Sequence, residues 1–280
     1  MTNDGTVKSQ TNSFVMNRRY FQGIHGYDFV NGSPHLKHKA LGDLCGELAT
    51  EALRRLQIGS GSPIVLDMGA GGGMLTLPYL RLGAKVLAAD ASEDLLRDLK
   101  SRAEPYIDSL TVICGDIFCI LEELKSKDER FDIICASSFL HHIPEYQRLC
   151  ATAAELLRSR GVLLTFQDPL RHDSLSRFTY FFDRVSYFGW RLFQGNYVQG
   201  IKTRFRRLMG YYRDDLPEDV AEYHCVRNGV DQTDLKALLE NLGLECSVHC
   251  YWSAHASVFQ SAGQLLNLAN SFGIIAQKRI

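Results

Sequence analysis

The residues best suited to chemistry lie in one short run, Ile64-Val65-Leu66-Asp67-Met68-Gly69-Ala70-Gly71-Gly72-Gly73-Met74. An apolar stretch ends in an acid and passes into glycines at 69, 71 and 73. This predicts a strand, a tight turn and a helix starting near Met74. Such a turn brings backbone N–H groups and a helix N-terminus against a ligand, with no Cβ atoms in the way. A second acid, Asp90, closes the next apolar run, where a carboxylate suits a ribose diol. Together they point to an adenosine-containing cofactor. Leu140-His141-His142-Ile143-Pro144 offers imidazoles for proton transfer, and Tyr20, His25 and Tyr27 add polar groups ahead of the first long helix.

These groups need a scaffold to converge. Helical spacing of Leu41, Leu44, Cys45, Leu48, Ala52 and Leu56 predicts a helix over Leu36 to Leu56. Strands are then expected at Ile64 to Met68, Lys85 to Ala89, Leu110 to Cys114, Phe131 to Ala136 and Gly161 to Gln167. Helices alternate with them: Met74 to Leu82, one capped by Ser92 with Glu93 and Asp94 in its first turn, and one over Glu145 to Arg158. The strand runs are apolar without strict alternation, as when both sheet faces are covered. Strand–helix alternation argues for a parallel, doubly wound sheet. The pattern stops at Asp168-Pro169 and resumes at Asp231, which caps a helix carrying Leu235, Leu238, Leu239 and Leu242 and stopped by Gly243. Glu245 to Tyr251 and Phe272 to Lys278 read as the last strands.

The 280 residues suit one large α/β domain with a cap: an N-terminal arm, lid and helix (1–60), a cofactor core (61–168), an aromatic-rich helical cap (169–229) and a closing helix and strand pair (230–280). Net charge is −1, so no global field draws in nucleic acid or anionic membrane. No apolar run reaches the roughly eighteen residues of a membrane span, and the polar Met1 to Gln10 lacks a signal-peptide core. A cytoplasmic protein with no membrane partner is expected. Several of the eight cysteines fall in strands, where free thiols pack as small hydrophobes. His224, Cys225, Cys246, His249 and Cys250 lack the close ligand pairs of zinc sites, so no metal is expected. Lys202, Arg204, Arg206 and Arg207 are followed by acids and read as a solvated face.

The glycine spacing is Gly-x-Gly-x-Gly; the dinucleotide fingerprint would need glycine where Met74 stands. With Asp67 two residues ahead, the motif resembles that of class I S-adenosylmethionine-dependent methyltransferases. Val86-Leu87-Ala88-Ala89-Asp90, Cys114-Gly115-Asp116-Ile117, Phe131 through Pro144, and Leu156 through Leu164 resemble that family's later motifs in order. The resemblance implies a Rossmann-like, seven-stranded, mostly parallel sheet. It also implies S-adenosyl-L-methionine as cofactor, with S-adenosyl-L-homocysteine as product. Asp67, Gly69, Ala70, Gly71 and Gly73 would form the cradle. Asp90 and Ala91 would meet the ribose, Asp116 the adenine amine and Ile117 its ring, with Ser137 and the lid residue Tyr27 also at the cofactor. Structural roles stay open beside these: Asp67 tying down the turn, Asp116 capping a helix.

A sulfonium methyl is already electrophilic, so the protein must align an acceptor and exclude water. A hydroxyl acceptor also needs a base, for which His141 and Tyr20 are the candidates; packing is the alternative for each. The fourth motif lacks the Asp/Asn-Pro-Pro-Tyr/Phe of base-amine enzymes, which favours a small molecule over nucleic acid. Nine aromatic residues between Phe178 and Tyr197 predict an aromatic acceptor site. Phe139, Phe178, Phe181, Phe182 and Trp190 are expected to line it. Ring faces of this kind hold a cation with about 0.5–2 kcal/mol each. Length, N-terminal segment and cap resemble prenyl and terpenoid carbon methyltransferases of natural-product biosynthesis, such as that of teleocidin. O- or N-methylation of an apolar metabolite, and a non-catalytic binding subunit, are the other readings. The aromatic cap or the N-terminal arm offers a surface for homo-oligomerisation.

Overall fold

The computed structural model describes residues 14–21, 32–56, 61–192, 206, 209, 211–213, 216, 219–220 and 223–279. In chain order the described elements are α1 (14–21), α2 (Pro34–Lys37), α3 (Lys39–Arg55), β1 (Ile64–Met68), α4 (Thr76–Arg81), β2 (Lys85–Asp90), α5 (Glu93–Arg102), β3 (Leu110–Cys114), α6 (Ile117–Ser126), β4 (Phe131–Ser137), α7 (Tyr146–Leu156), β5 (Leu157–Pro169), α8 (Arg177–Leu192), α9 (Tyr223–Arg227), α10 (Gln232–Asn241), β6 (Leu244–Tyr251), α11 (Ser257–Leu265) and β7 (Ser271–Lys278).

The seven strands form one sheet in the order β3-β2-β1-β4-β5-β7-β6. β7 runs antiparallel to both β5 and β6, and the pairings from β3 through β5 are parallel. Successive residues of a strand point to opposite faces. Val65, Ile133, Cys135, Val162 and Leu164 therefore pack under α3, α4 and α5. Their neighbours Leu66, Ile134, Ala136 and Leu163 pack under α6, α7 and α10. Both faces are covered, which is why the strands read as unbroken apolar runs. The strand order reverses at β1, between β2 and β4, and open α/β sheets bind ligands at such a reversal.

The structure moves several expected boundaries. The helix expected from Met74 begins at Thr76, because residues 71–75 are turns. The helix expected over Leu36 to Leu56 is two helices, broken at His38, whose backbone is extended. β5 starts at Leu157, which pairs with Phe131 before the register shifts and Val162 pairs with Ile133. α6 is the helix whose cap Asp116 offers in the sequence, whereas α11 has no counterpart in the sequence reading. The stretch after Pro169, expected as a helical cap, contains the long helix α8.

Candidate active site

The glycine turn is folded across the end of β2. Gly69 and Ala70 both donate their N–H to Ala89 O, at 2.8 and 3.0 Å, and Gly71 N donates to Asp90 Oδ2 at 2.8 Å. Asp90 Oδ1 accepts from Ser92 N at 2.8 Å. Burial pushes the Asp90 carboxyl above the ordinary range, and these backbone donors oppose that push. Gly69 and Gly71 have φ of 68° and 49°, a region costly for residues with a Cβ. Their surroundings differ. A Cβ on Gly69 would overlap the Phe139 ring, whereas one on Gly71 would point into open space. Gly73 is a packing glycine, backed by Leu99. Arg102 Nη1 closes the outside of the turn by donating to Gly72 O at 2.6 Å.

A cavity opens over this turn at the carboxyl ends of four strands. Gly69 to Gly72 line it after β1, Ala89 to Ala91 after β2, Gly115 to Phe118 after β3, and Ser137 to Phe139 after β4. His142 to Glu145 continue the wall, and Phe14, Asn17, Phe21, His35 and Leu36 close it from the N-terminal helices. Ser138 holds φ of 54° at its rim, and its N–H donates to Phe166 O at 2.7 Å. Backbone outliers of this kind cluster at functional sites. In the lining, Ser137 Oγ and His35 Nδ1 are buried with no hydrogen-bond partner among the described residues. Burial, reinforced by His141 and His255, pulls the His35 pKa down to about 3, so its imidazole is neutral. The open cradle at Gly71, the carboxylates of Asp90 and Asp116 and the orphan Ser137 Oγ fit a polar, nucleoside-bearing ligand with an apolar neighbour.

Of the residues singled out from the sequence, Gly69, Ala70, Gly71, Asp90, Ala91, Asp116, Ile117, Ser137 and Phe139 come together in this lining. Asp116 also caps α6, accepting from Phe118 N and Cys119 N at 2.9 and 3.2 Å. Asp67 stands beneath the turn and not among the described lining residues. It is 1% exposed and accepts from Thr76 Oγ1 at 2.6 Å, with burial raising its pKa to about 6. Gly73 likewise faces the core. Tyr20 stands edge-on to Phe21, ring centroids 5.1 Å apart, with Phe21 the one that lines the cavity.

The aromatic cap departs furthest from expectation. Phe178 and Phe181 face solvent, at 56% and 65% exposure. Phe182 packs on Trp252 and Phe259, at 5.4 and 5.9 Å, and Trp190 stacks on His255 at 4.1 Å. None of these four is among the described lining residues. The phenylalanines in the wall are Phe139, the remaining member of the expected set, with Phe14, Phe21 and Phe118. Tyr27, His25 and Tyr197 lie outside the described residues. No group of three His, Cys, Asp or Glu side chains able to hold a metal occurs among the described residues.

His141 is held by a partner the sequence reading did not supply. Asp168, at the end of β5, accepts from His141 N at 3.0 Å, and the same Oδ1 meets His141 Nδ1 at 2.9 Å. Asp168 is fully buried and its Oδ2 has no partner among the described residues. The His141 and His142 rings lie 4.0 Å apart, and it is His142 that lines the cavity. His224 buttresses the same loop, its Nε2 meeting Ile143 O at 3.0 Å. The one hint of Asp168 in the sequence is an acid at a strand's carboxyl end.

The architecture is that of the class I methyltransferases. The magnesium protoporphyrin IX methyltransferase of Synechocystis PCC 6803, solved with S-adenosylhomocysteine, superposes with a TM-score of 0.55, 15% identity and coverage of 99% of this chain and 100% of that one. A sarcosine dimethylglycine methyltransferase fold from Galdieria sulphuraria gives 0.52 and 14%, covering 85% and 84%. More particularly, residues 66–165 match the methyltransferase domain family. A stretch of 100 residues of this chain is 38% identical to the ubiquinone biosynthesis O-methyltransferase of Coxiella burnetii, covering 35% of this chain and 41% of that protein. A stretch of 102 residues is 34% identical to the Bartonella quintana protein of that name. The chain thus matches about two fifths of these relatives' length.

Proposed function

We propose that this protein transfers a methyl group from S-adenosyl-L-methionine to a hydroxyl of a small, largely apolar metabolite. The observation that carries the reading is the histidine pair 141–142: one ring in the cavity wall, the other against it and fixed by buried Asp168. A base oriented by a third group is the arrangement that activates a weak nucleophile. S-adenosylmethionine, when bound, supplies an electrophilic methyl. The chain's own residues do the rest. Gly69 to Gly71 present backbone to the donor, Asp90 takes the ribose hydroxyls, Asp116 and Ile117 the adenine, and Ser137 Oγ a polar group of the methionine end. Phe14, Phe21, Phe118 and Phe139 exclude water and hold the acceptor against the turn. His142 receives the hydroxyl proton, with His141 and Asp168 keeping its ring in place. Relatives named as O-methyltransferases support this reading.

Carbon methylation of a prenyl or terpenoid group is the second reading, favoured by the four phenylalanines of the wall, whose faces suit a transient cation. Methyl transfer from the deuterated donor into a panel of apolar phenols and prenyl compounds separates the two. Label on oxygen supports the first reading, label on carbon the second, and no transfer to any member despite donor binding favours a non-catalytic subunit.

A further inference from the structure

Helix α8 carries its residues the wrong way round for a surface helix. Its inward face holds Phe182, on Trp252 and Phe259, beside three polar residues: Thr179 and Ser186, both buried, and Asp183, which accepts from Asn270 Nδ2 at 2.7 Å. Gly189 sits against Phe259 on α11. Its outward face holds Phe178, Phe181, Val185 and Phe188, all exposed, flanked by Tyr180 and Tyr187. A globular helix places those sets oppositely. The neighbouring α11 adds Val258 and Leu265, 78% and 88% exposed, and contains no charged residue. Contiguous exposed apolar surface marks an interaction site.

On α8 itself the charges beside the aromatic face have one sign. Arg177, Arg184 and Arg191 recur every seven residues, which sets them in one stripe along the helix. Arg184 lies over the Tyr180 ring at 4.8 Å with Nη2 3.3 Å from His172 Nδ1, and Arg191 lies over Trp190 at 5.9 Å, so Arg177 at the start of the stripe is its exposed cation. The only acid of the helix is Asp183, turned inward. At the Trp190 end, where its ring stacks on His255, Lys37 Nζ donates to His255 O at 3.1 Å and adds another cation.

We propose that α8 lies in the surface of an anionic lipid bilayer, its phenylalanines in the headgroup–acyl boundary and its arginine stripe among the phosphates. Phenylalanine on one side and arginine alongside is the pattern of helices that lie in the membrane interface, and long arginine stems let the guanidinium reach the phosphate level. Charge complementarity selects this occupant over a second copy, since a symmetric contact brings the same patch, with its stripe of like charge, against itself. The expectation of no membrane partner rested on net charge and the lack of a span. No helix among the described residues is long and apolar enough to cross a membrane, and a helix lying in the surface needs no span. The inference is independent of the reaction assigned above.

Vesicle co-sedimentation of the full chain tests it, comparing phosphatidylcholine with phosphatidylcholine–phosphatidylglycerol vesicles at low and high salt. Binding to the anionic vesicles, weakened by salt, is the expected result. Phe178→Ser and Phe181→Ser should each lower partitioning roughly tenfold, and Arg177→Gln about fivefold. All three sites are exposed and outside the cavity lining, so cofactor titration and thermal unfolding should match the parent chain. Absence of binding to anionic vesicles at low salt overturns the proposal. So does binding that survives both serine variants. A concentration-dependent dimer that Phe181→Ser dissociates, without vesicle affinity, assigns the face to a second copy instead.

Discussion

Gly71 N donates to Asp90 Oδ2 across 2.8 Å, so the acid at the end of β2 holds the glycine turn at the end of β1. One carboxylate thereby shapes the cradle and, in the proposed function, grips the ribose. Asp90→Ala should weaken binding of S-adenosylhomocysteine by about 1–3 kcal/mol, the range for losing hydrogen bonds to an ionised acceptor. Isothermal titration reads this directly. Affinity equal to that of the parent chain would remove Asp90 from the site.

Gly69 and Gly71 separate a folding role from a binding role. Gly71→Ala adds a methyl where nothing lies within 4 Å, at φ of 49°. Its cost to stability should be about 1–2 kcal/mol, that of a left-handed residue, while cofactor affinity falls by roughly tenfold or more because the methyl occupies the ligand's place. Gly69→Ala must displace the Phe139 ring, so it should lower the unfolding midpoint further. Thermal unfolding beside titration tests the contrast; Gly71→Ala with parental affinity would show that the backbone there meets no ligand.

The same neighbourhoods mark what was legible in the sequence. β1, β2 and β4 were visible because strands largely buried between two helical layers are short apolar runs ended by Gly, Asp or Ser. The Ser92 cap was local chemistry, and its side chain does accept from Leu95 N. Asp67 and Asp90 look alike in sequence, each an acid ending a strand. Only the sheet decides that Asp67 turns under to Thr76 while Asp90 faces the cavity. The His141–Asp168 contact spans 27 residues and could not be read from spacing. For α8, aromatic richness suggested an interior; the composition does not say which way a helix is rotated, and here Thr179 and Ser186 are the buried face.

Asp67 should leave a pH signature. Burial raises its pKa from 3.8 to about 6 despite the Thr76 hydrogen bond. An acid whose folded pKa lies above its unfolded one favours the folded state below pH 3.8, and that contribution is lost as pH rises through about 6. Asp67→Asn, which cannot ionise, lacks this dependence. The stability of the variant relative to the parent should therefore shift in its favour by about 2–3 kcal/mol between pH 4 and pH 8. Denaturant unfolding at a series of pH values measures the difference, and a difference independent of pH would mean that Asp67 ionises normally in the fold.

The dyad gives the sharpest test of the proposed chemistry. Asp168 contacts both the backbone N–H and Nδ1 of His141 through one oxygen, so it sets the position and the tautomer of that ring. Asp168→Asn preserves volume but offers an amide in place of a carboxylate. With a hydroxyl acceptor, kcat should fall by about tenfold or more, because Asp168 reaches the base His142 only through His141, while cofactor affinity, in the proposed function carried by Asp90 and the glycine turn, stays within about threefold. His142→Ala should cause a larger loss, about 10²–10⁴, the range for losing a base, and abolish the acidic limb of the kcat–pH profile, since that limb reports protonation of the base. If instead both variants keep the parental rate and its pH profile, proton removal is no part of the slow step. Carbon methylation over the phenylalanine wall then becomes the better account, and Phe139→Leu, which retains apolar bulk but loses the ring face, should lower kcat where the histidine changes did not.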